Sequence, residues 1–501
     1  MKEFILALDQ GTSSSRALLY DNSGKTISIA QQAIEMSHPK DGWVEQDPNE
    51  IWDSVLAAGR EAITSSGIDP KFIKGIGITN QRETTLVWNK KTGECVYNAI
   101  VWQDRRTITT CIEMDSATLD GKALSEQIAD KTGLLIDPYF SSTKLHWILS
   151  EIVASDSSLD IDDLLFGTVD TYLIWKLTGG HSHATDVTNA SRTQLLNIST
   201  LEWDEDLLKY FDIPGFLLPK VLDSSAQYGY AEEKWFGAPI PITGVAGDQQ
   251  AALVGQCCFD SGMSKVTLGT GCFIMTNTGS EKSLPKDGLL TTIAYRINGQ
   301  TSYASEGSIF VAGQAVKWLR DQLGIIESVK DTEKAFVATK GDAGGVSVVP
   351  AFTGLGAPHW DPEARGLISG LTLDTSVEQI VVATLQSIAF QIADLVSLML
   401  KGGPVDQLRV DGGMAVNDPF CQFLADILGQ NVDRPIDTET TARGAALLAG
   451  LGSGVWKDLN EIRATWQAER IFTPDMEQSL RDSLVEEFAL SVERAKLRLK
   501  S

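Results

Sequence analysis

The chain has 501 residues, too many for one hydrophobic core, and its 43% hydrophobic and 22% charged residues are those of an ordinary globular α/β protein. With 66 acidic against 42 basic side chains, the formal net charge of −24 disfavours nucleic acid or an anionic membrane surface as the main partner. Six cysteines without a CxxC pair and five histidines without HExxH argue against a disulfide framework and the common zinc signatures, and point to a reducing compartment, the cytoplasm.

The first element reads FILALD, then QGTSSSR, then ALLYD: a strand, a turn of Gly and small hydroxyl residues, and a second strand closed by Asp21-Asn22-Ser23-Gly24. Its apolar run meets Asp9 too soon for a signal peptide or a membrane span. In the turn, backbone N–H groups with the hydroxyls of Thr12, Ser13 and Ser14 suit phosphate oxygens, Arg16 adds a positive fork, and Asp9 suits Mg²⁺ directly or through water. The same residues also suit a plain hairpin with solvated hydroxyls, and the GxxxxGK[ST] loop is absent.

Ile51–Ile63 reads as a helix and Ile73–Ile78 as a strand leading into the polar element Thr79–Glu83. There Arg82 and Glu83 can clamp a polyol, one donating and the other accepting hydrogen bonds, or form a surface ion pair. Trp102 follows another apolar stretch and suits a pocket wall or the core; Tyr139 and Phe273 carry the same choice. His181 and His183 read as a surface tract.

PITGVAGDQQAALVGQ (241–256) reads as strand, turn and helix start. It places Asp248 where a carboxylate can take a proton from a hydroxyl, or cap the helix. VTLGTGCFIMTNTG (266–279) repeats the opening hairpin in plan, with Thr270 in its turn, which suggests two domains of related design. Residues 252–262 are punctuated by Gly255, Asp260 and Gly262, and the division is placed at 253/254, giving domains 1–253 and 254–501. Leu385, Ile388, Ile392, Leu395 and Met399 follow helical spacing, LRVDGG reads as strand and turn, Pro419–Leu428 as helix, and the charged region from Trp466 as a helical cover.

Taken together, DQGTSSSR, GWVEQDP, GITNQRETTLVW, AIVWQDRR, TGLLIDPYFS, TDVTNASRT, GVAGDQQAALVGQ, LGTGCF, EGSIFVAG, VVPAFTGLGAP and LRVDGG resemble the carbohydrate and polyol kinases of the FGGY family, over roughly residues 3–495. The resemblance implies an α/β fold of two actin-like (ribonuclease-H-like) domains around a cleft. It also implies ATP-dependent phosphorylation, with Mg²⁺. ITNQRETT and DPYFS favour the members acting on glycerol over those acting on xylulose, ribulose, gluconate or rhamnulose.

Carried over residue by residue, the resemblance makes Asp248, Asp9 and Arg82 catalytic, with Asp9 the metal ligand. Arg82, Glu83, Trp102, Tyr139, Asp248, Gln249 and Phe273 would surround glycerol. Thr12, Ser13, Ser14, Arg16, Thr270, Gly313, Lys317, Gly413 and Asn417 would meet the nucleotide. A homodimer or homotetramer is implied. Ser13, Ser305, Lys317, His359 and Arg443 depart from the family's usual residues. YAEEKWFGAPIP (230–241) lacks both the loop that some members use for fructose 1,6-bisphosphate and the histidine that others have phosphorylated. Two other readings stand at this stage. A kinase of the same family for a larger sugar would need a roomier, more polar pocket. An ATP-binding non-kinase of the same superfamily would not need Arg82, Glu83, Asp248 and Gln249 together.

Overall fold

A computed structural model describes residues 3–282, 287–361, 363–400 and 407–497. The first half contains β1 (Phe4–Gln10), β2 (Ser14–Asp21), β3 (Thr26–Ala33), α1 (Pro48–Ser66), β4 (Ile73–Asn80), α2 (Val169–Leu177), β5 (Ser225–Ala231), β6 (Ile240–Gly247) and α3 (Asp248–Gly255). The second contains β7 (Met263–Leu268), β8 (Cys272–Gly279), β9 (Leu290–Ile297), β10 (Gln300–Ile309), α4 (Gly313–Asp321), α5 (Lys330–Thr339), α6 (Val377–Leu400), β11 (Gln407–Asp411), α7 (Asp418–Leu428), β12 (Val432–Pro435), α8 (Thr440–Gly452), β13 (Ala468–Phe472) and α9 (Gln478–Lys496).

Among the described residues these strands form one sheet, in the order β13-β12-β11-β7-β8-β10-β9-β5-β6-β4-β1-β2-β3. The two halves repeat a pattern. β1 has antiparallel β2 on one side and parallel β4 then β6 on the other. β7 has antiparallel β8 on one side and parallel β11 then β12 on the other. The hairpin likeness read at 4–21 and 266–279 is therefore a likeness of topology, and the expected pair of actin-like halves is what the chain builds. β5 and β9 join them through a single parallel pairing, Ser225 with Ile297.

Local chemistry sets the helix ends. α1 begins three residues before the apolar spacing shows it, because Asp47 caps Asn49 N–H at 2.8 Å and Pro48 fits the first turn. α6 buries Leu385, Ile388, Ile392 and Leu395, with Met399, against the second-half sheet. Each such side chain contributes roughly 1.5–3 kcal/mol of burial. By length and composition α6 could cross a membrane, but 72% of its apolar window is buried inside the protein's own core. The region from Trp466 is helical only from Gln478. Ala468–Phe472 instead pairs antiparallel with β12, supplying the edge hydrogen bonds that strand would otherwise lack.

The helices after β6 and β12 cross at the centre of the molecule. A Cβ on Gly444 would lie 1.8 Å from the Ala251 carbonyl oxygen, and one on Gly255 1.9 Å from that of Thr440, so α3 and α8 meet backbone to backbone. Ala251, Leu253, Ala442, Ala445 and Ala449 close this contact into one apolar cluster. Arg443 is part of the same joint: it donates to the Gly255 carbonyl at 2.6 Å and to Thr465 Oγ1 at 2.5 Å, capping the C-terminus of α3. All six cysteines are free thiols.

Candidate active site

The carboxyl ends of β1, β4 and β6 lie side by side, with Asp9 opposite Thr79 and Asn80 opposite Gly247 in the register. The chain leaving β4 turns at once, and Glu83 takes a left-handed conformation (φ 61°). That strained turn lets Arg82 and Glu83 both point inward: they are 2% and 1% exposed, so the pair is buried. Gly247 has to be small here, because a Cβ on it would meet Arg82 Cγ at 2.8 Å.

Arg82 is the centre of the site. Its Nε lies 3.1 Å from Asp248 Oδ1 and 3.8 Å from Glu83 Oε1. Its Nη1 donates to Glu306 Oε2 at 2.5 Å and Gln250 Oε1 at 3.3 Å, and its Nη2 to Glu306 Oε1 at 3.1 Å and the Tyr139 hydroxyl at 3.3 Å. Arg192 donates from Nε to Glu83 Oε1 at 2.6 Å and from Nη2 to Glu306 Oε1 at 3.0 Å. Burial alone would raise the Glu306 carboxyl, but Arg192 and Arg82 hold it down to about 2. Burial raises Glu83 in spite of the same two guanidinium groups.

Asp248 is the first residue of α3, its side chain 31% exposed, and Oδ1 accepts the Gln249 N–H at 2.7 Å. The N-cap is Gly247, so Asp248 stands one position inside the helix, holding the next N–H while its carboxylate stays open. Gln249 accepts from Lys265 Nζ, a fully buried amine on β7 that burial pushes down. Trp102 meets Tyr139 and Phe273 edge to face, at 5.5 and 6.5 Å between ring centroids. Lys144 fixes the Tyr139 turn by donating to the Pro138 and Tyr139 carbonyls at 3.1 and 2.7 Å, and burial pushes its amine down to about 8. All seven residues expected around the acceptor thus meet in one cluster.

On the other side, Thr12 accepts from the Trp102 indole N–H at 3.0 Å, so the hairpin turn touches the ring cluster directly. Gln46 holds the same turn through the Thr12 carbonyl at 2.6 Å. Ser13 is exposed, Ser14 accepts from Gln31 at 2.9 Å, and Arg16 pairs with Glu439 at 2.5 Å from the other half of the chain. The Asp9 carboxyl, desolvated and facing Asp248 and Glu439, is raised to about 7 against the pull of Arg16.

Across the second half, the Gly269–Gly271 turn packs on the start of α4: Ala312 N–H donates to the Thr270 carbonyl and Gly313 N–H to the Gly269 carbonyl, each at 3.0 Å. Gly412, left-handed at φ +87°, brings the following turn against Leu268, with Met414 N–H reaching its carbonyl at 3.3 Å. Thr270, Lys317 and Gly413 are exposed. Asn417 is turned inward instead. Its amide caps α7 through Phe420 N–H at 3.0 Å and donates to Thr332 at 3.0 Å, so it organises the helix end rather than presenting a free amide.

Arg192, Glu306, Gln250, Lys265 and Lys144 were not singled out by the sequence reading. Arg192 and Glu306 lie inside stretches that it used, TDVTNASRT and EGSIFVAG, and charges in such apolar or small-residue surroundings are the available signal. His183 is half-buried rather than on a surface tract: its Nε2 lies 2.8 Å from the Phe166 carbonyl and its ring is edge-on to Trp88. A surface groove of about 400 Å³ between α1 and Trp235 shares no residue with the cluster.

Residues 4–255 match the N-terminal domain of the FGGY family of carbohydrate kinases, and residues 264–453 match its C-terminal domain. The chain is 51% identical to a glycerol kinase of Marinomonas sp. over 499 residues, covering 99% of this chain and 100% of that protein. It is 52% identical to glycerol kinase 2 of Thermotoga maritima, over 98% of this chain and 99% of that one. Among solved structures, Plasmodium falciparum glycerol kinase with ADP superposes with a TM-score of 0.91 at 35% identity, over 99% of both chains.

Proposed function

The chain belongs to the FGGY family of carbohydrate kinases, and on that premise we propose that it transfers the terminal phosphoryl group of ATP to glycerol, giving sn-glycerol 3-phosphate and ADP. The observation that carries this reading is the acceptor cluster. Asp248, Arg82 and Glu83 line one side with charge, and Trp102, Tyr139 and Phe273 line the other with rings. A short polyol has matching character, hydroxyls along one edge and a carbon chain along the other. A pentulose would add polar groups against the rings.

In this mechanism Arg82 and Glu83 orient the acceptor hydroxyls, and Asp248 accepts the proton of the hydroxyl that attacks phosphorus. Its partial exposure leaves it reachable from the cleft. The ring wall keeps water from the nucleophile's place. Backbone N–H groups of the turns at Gly11 and Gly269, with Thr12, Ser13, Ser14, Arg16, Thr270, Gly313, Lys317 and Gly413, receive the nucleotide, and Asn417 supports the adjacent helix end. Arg16 exchanges Glu439 for phosphate oxygens.

Among the described residues no group of three or more His, Cys, Asp or Glu forms a metal cage. A single desolvated carboxylate beside a phosphate site is nonetheless the donor set that Mg²⁺ uses with a nucleotide, and Asp9 provides it. When bound, the ion neutralises phosphate charge during transfer. We also place the division into domains at 253/254, the protein in the cytoplasm, in keeping with its free thiols, and the chain in a homodimer or homotetramer.

The test is ATP-dependent phosphorylation of glycerol, dihydroxyacetone, xylulose, ribulose and gluconate under identical conditions. Glycerol should have the highest kcat/KM by a wide margin. Preference for a pentulose or gluconate would refute the acceptor assignment.

A further inference from the structure

The charged groups around Arg82 come from both halves of the chain. Arg82, Glu83 and Arg192 belong to the first half, whereas Glu306 stands on β10 of the second, in register with Met275 of β8 and Leu290 of β9. The four are between 0 and 2% exposed. Burying four charges is costly unless each is paired in good geometry. Here Glu306 does most of the pairing: its two oxygens take both terminal nitrogens of Arg82, and Oε1 also takes Arg192 Nη2.

This fork decides which edge of the Arg82 guanidinium is left for the site. With Nη1 and Nη2 anchored on Glu306, only Nε reaches Asp248, through Oδ1 at 3.1 Å. The second oxygen of Asp248 is thereby spared for the acceptor hydroxyl. Without the Glu306 charge, the anions left within reach of Arg82 are Asp248 and Glu83, and Coulomb attraction would turn its fork onto them. A two-pronged Arg82–Asp248 pair would occupy both oxygens of the base and the place of the substrate. Arg192 guards against the same collapse from the other side, by holding Glu83 at 2.6 Å.

We propose that Glu306 is a positioning residue, contributed by the second half of the molecule, which holds Arg82 edge-on to Asp248 so that the base keeps an oxygen for glycerol. Because the carboxylate and its guanidinium partners lie in different halves, the arrangement exists only when the halves are together. This inference rests on the glycerol kinase reading above.

The experiment is steady-state kinetics of the parent, Glu306→Gln, Glu306→Asp and Arg192→Lys, varying glycerol and ATP separately, with thermal unfolding of each protein. Losing one charged hydrogen-bonding partner should raise the KM for glycerol in Glu306→Gln by about 10- to 100-fold. The KM for ATP should stay within about 2-fold, since the hydrogen bonds of Glu306 go to Arg82 and Arg192. Glu306→Asp should recover part of the loss, and Arg192→Lys should shift the glycerol KM in the same direction by less.

An unchanged glycerol KM in Glu306→Gln overturns the proposal. So does a loss of kcat alone in proportion to the folded fraction, which is what a purely structural role would give. If Glu306→Gln does not fold, Arg192→Lys decides, and an unchanged glycerol KM there is equally fatal. If the parent itself does not phosphorylate glycerol, the functional reading fails first and this inference falls with it. That outcome is distinct from a working parent with indifferent variants.

Discussion

The two sides of the cleft are made of different materials. The side proposed for the acceptor is buried charge already paired within the protein: Arg82, Arg192, Glu83 and Glu306 hold one another, and only Asp248 among these five retains substantial exposure. The side proposed for the nucleotide is glycine backbone and short hydroxyls, with Ser13, Thr270 and Gly413 open to solvent and Arg16 half-exposed on Glu439. A small neutral polyol offers little binding energy, so its site has to be organised before it arrives. A triphosphate brings its own charge and can organise flexible donors as it binds.

The largest effect should come from separating the two sides chemically. Asp248→Asn removes the proposed proton acceptor but none of the proposed nucleotide contacts, so kcat should fall about 10²- to 10⁴-fold with ADP binding by calorimetry unchanged. A variant that loses kcat and nucleotide affinity together would mean that the sides are not separable.

The opposite variant comes next. Thr270→Val removes a hydroxyl from the exposed turn, and the KM for ATP should rise roughly 10-fold while that for glycerol holds. A shift confined to glycerol would break the division of labour.

The indole bond between the sides is a smaller lever. Trp102→Phe keeps the ring but deletes the 3.0 Å donation to Thr12. The expected outcome is a few-fold weaker mutual enhancement of glycerol and nucleotide binding, on the order of 1 kcal/mol of coupling, read from the affinity of each with the other saturating.

How much of this was legible in the sequence follows the same contrast. The turns proposed for the nucleotide are local: DQGTSSSR, LGTGCF and LRVDGG each carry their residues within a short stretch, and the structure places each at a strand end. Asp248 and Arg82 could be singled out for the same reason, as polar groups just beyond apolar strands. The partners of Arg82 were not. Glu306 is 224 residues away from Arg82, and Arg192 is 109 from Glu83, so nothing local ties them. Arg443 likewise gained its meaning only once α8 crossed α3. The strand at Ala468–Phe472 was missed because its reason, the open edge of β12, lies in the sheet rather than in its own pattern.

The smallest prediction sharpens the electrostatic half of the comparison. Asp170 is as deeply buried as Glu306 but receives only neutral donors, the hydroxyls of Thr168 and Thr185 and the Thr171 N–H, with Asp186 nearby, and burial pushes it up from 3.8 to about 7. A guanidinium makes the difference between these two carboxyls. For Asp170 the raised value means that the folded state prefers the protonated form. Its stabilising contribution is complete below 3.8 and is lost as pH rises towards and through 7. Thermal unfolding at pH 5 and pH 8 should therefore show Asp170→Asn losing less stability across that interval than the parent, by on the order of 1 kcal/mol. Parallel pH profiles would mean that burial without a cation does not set this group.

The central claim is that the prepared acceptor side admits glycerol as the nucleophile in preference to water. It is tested most directly by following ADP release and phosphorylated product together, by ³¹P NMR, with and without glycerol. The account predicts negligible ADP release without glycerol and, with it, one sn-glycerol 3-phosphate for each ADP. Steady ADP release without glycerol, or release in excess of the phosphorylated product, would contradict it.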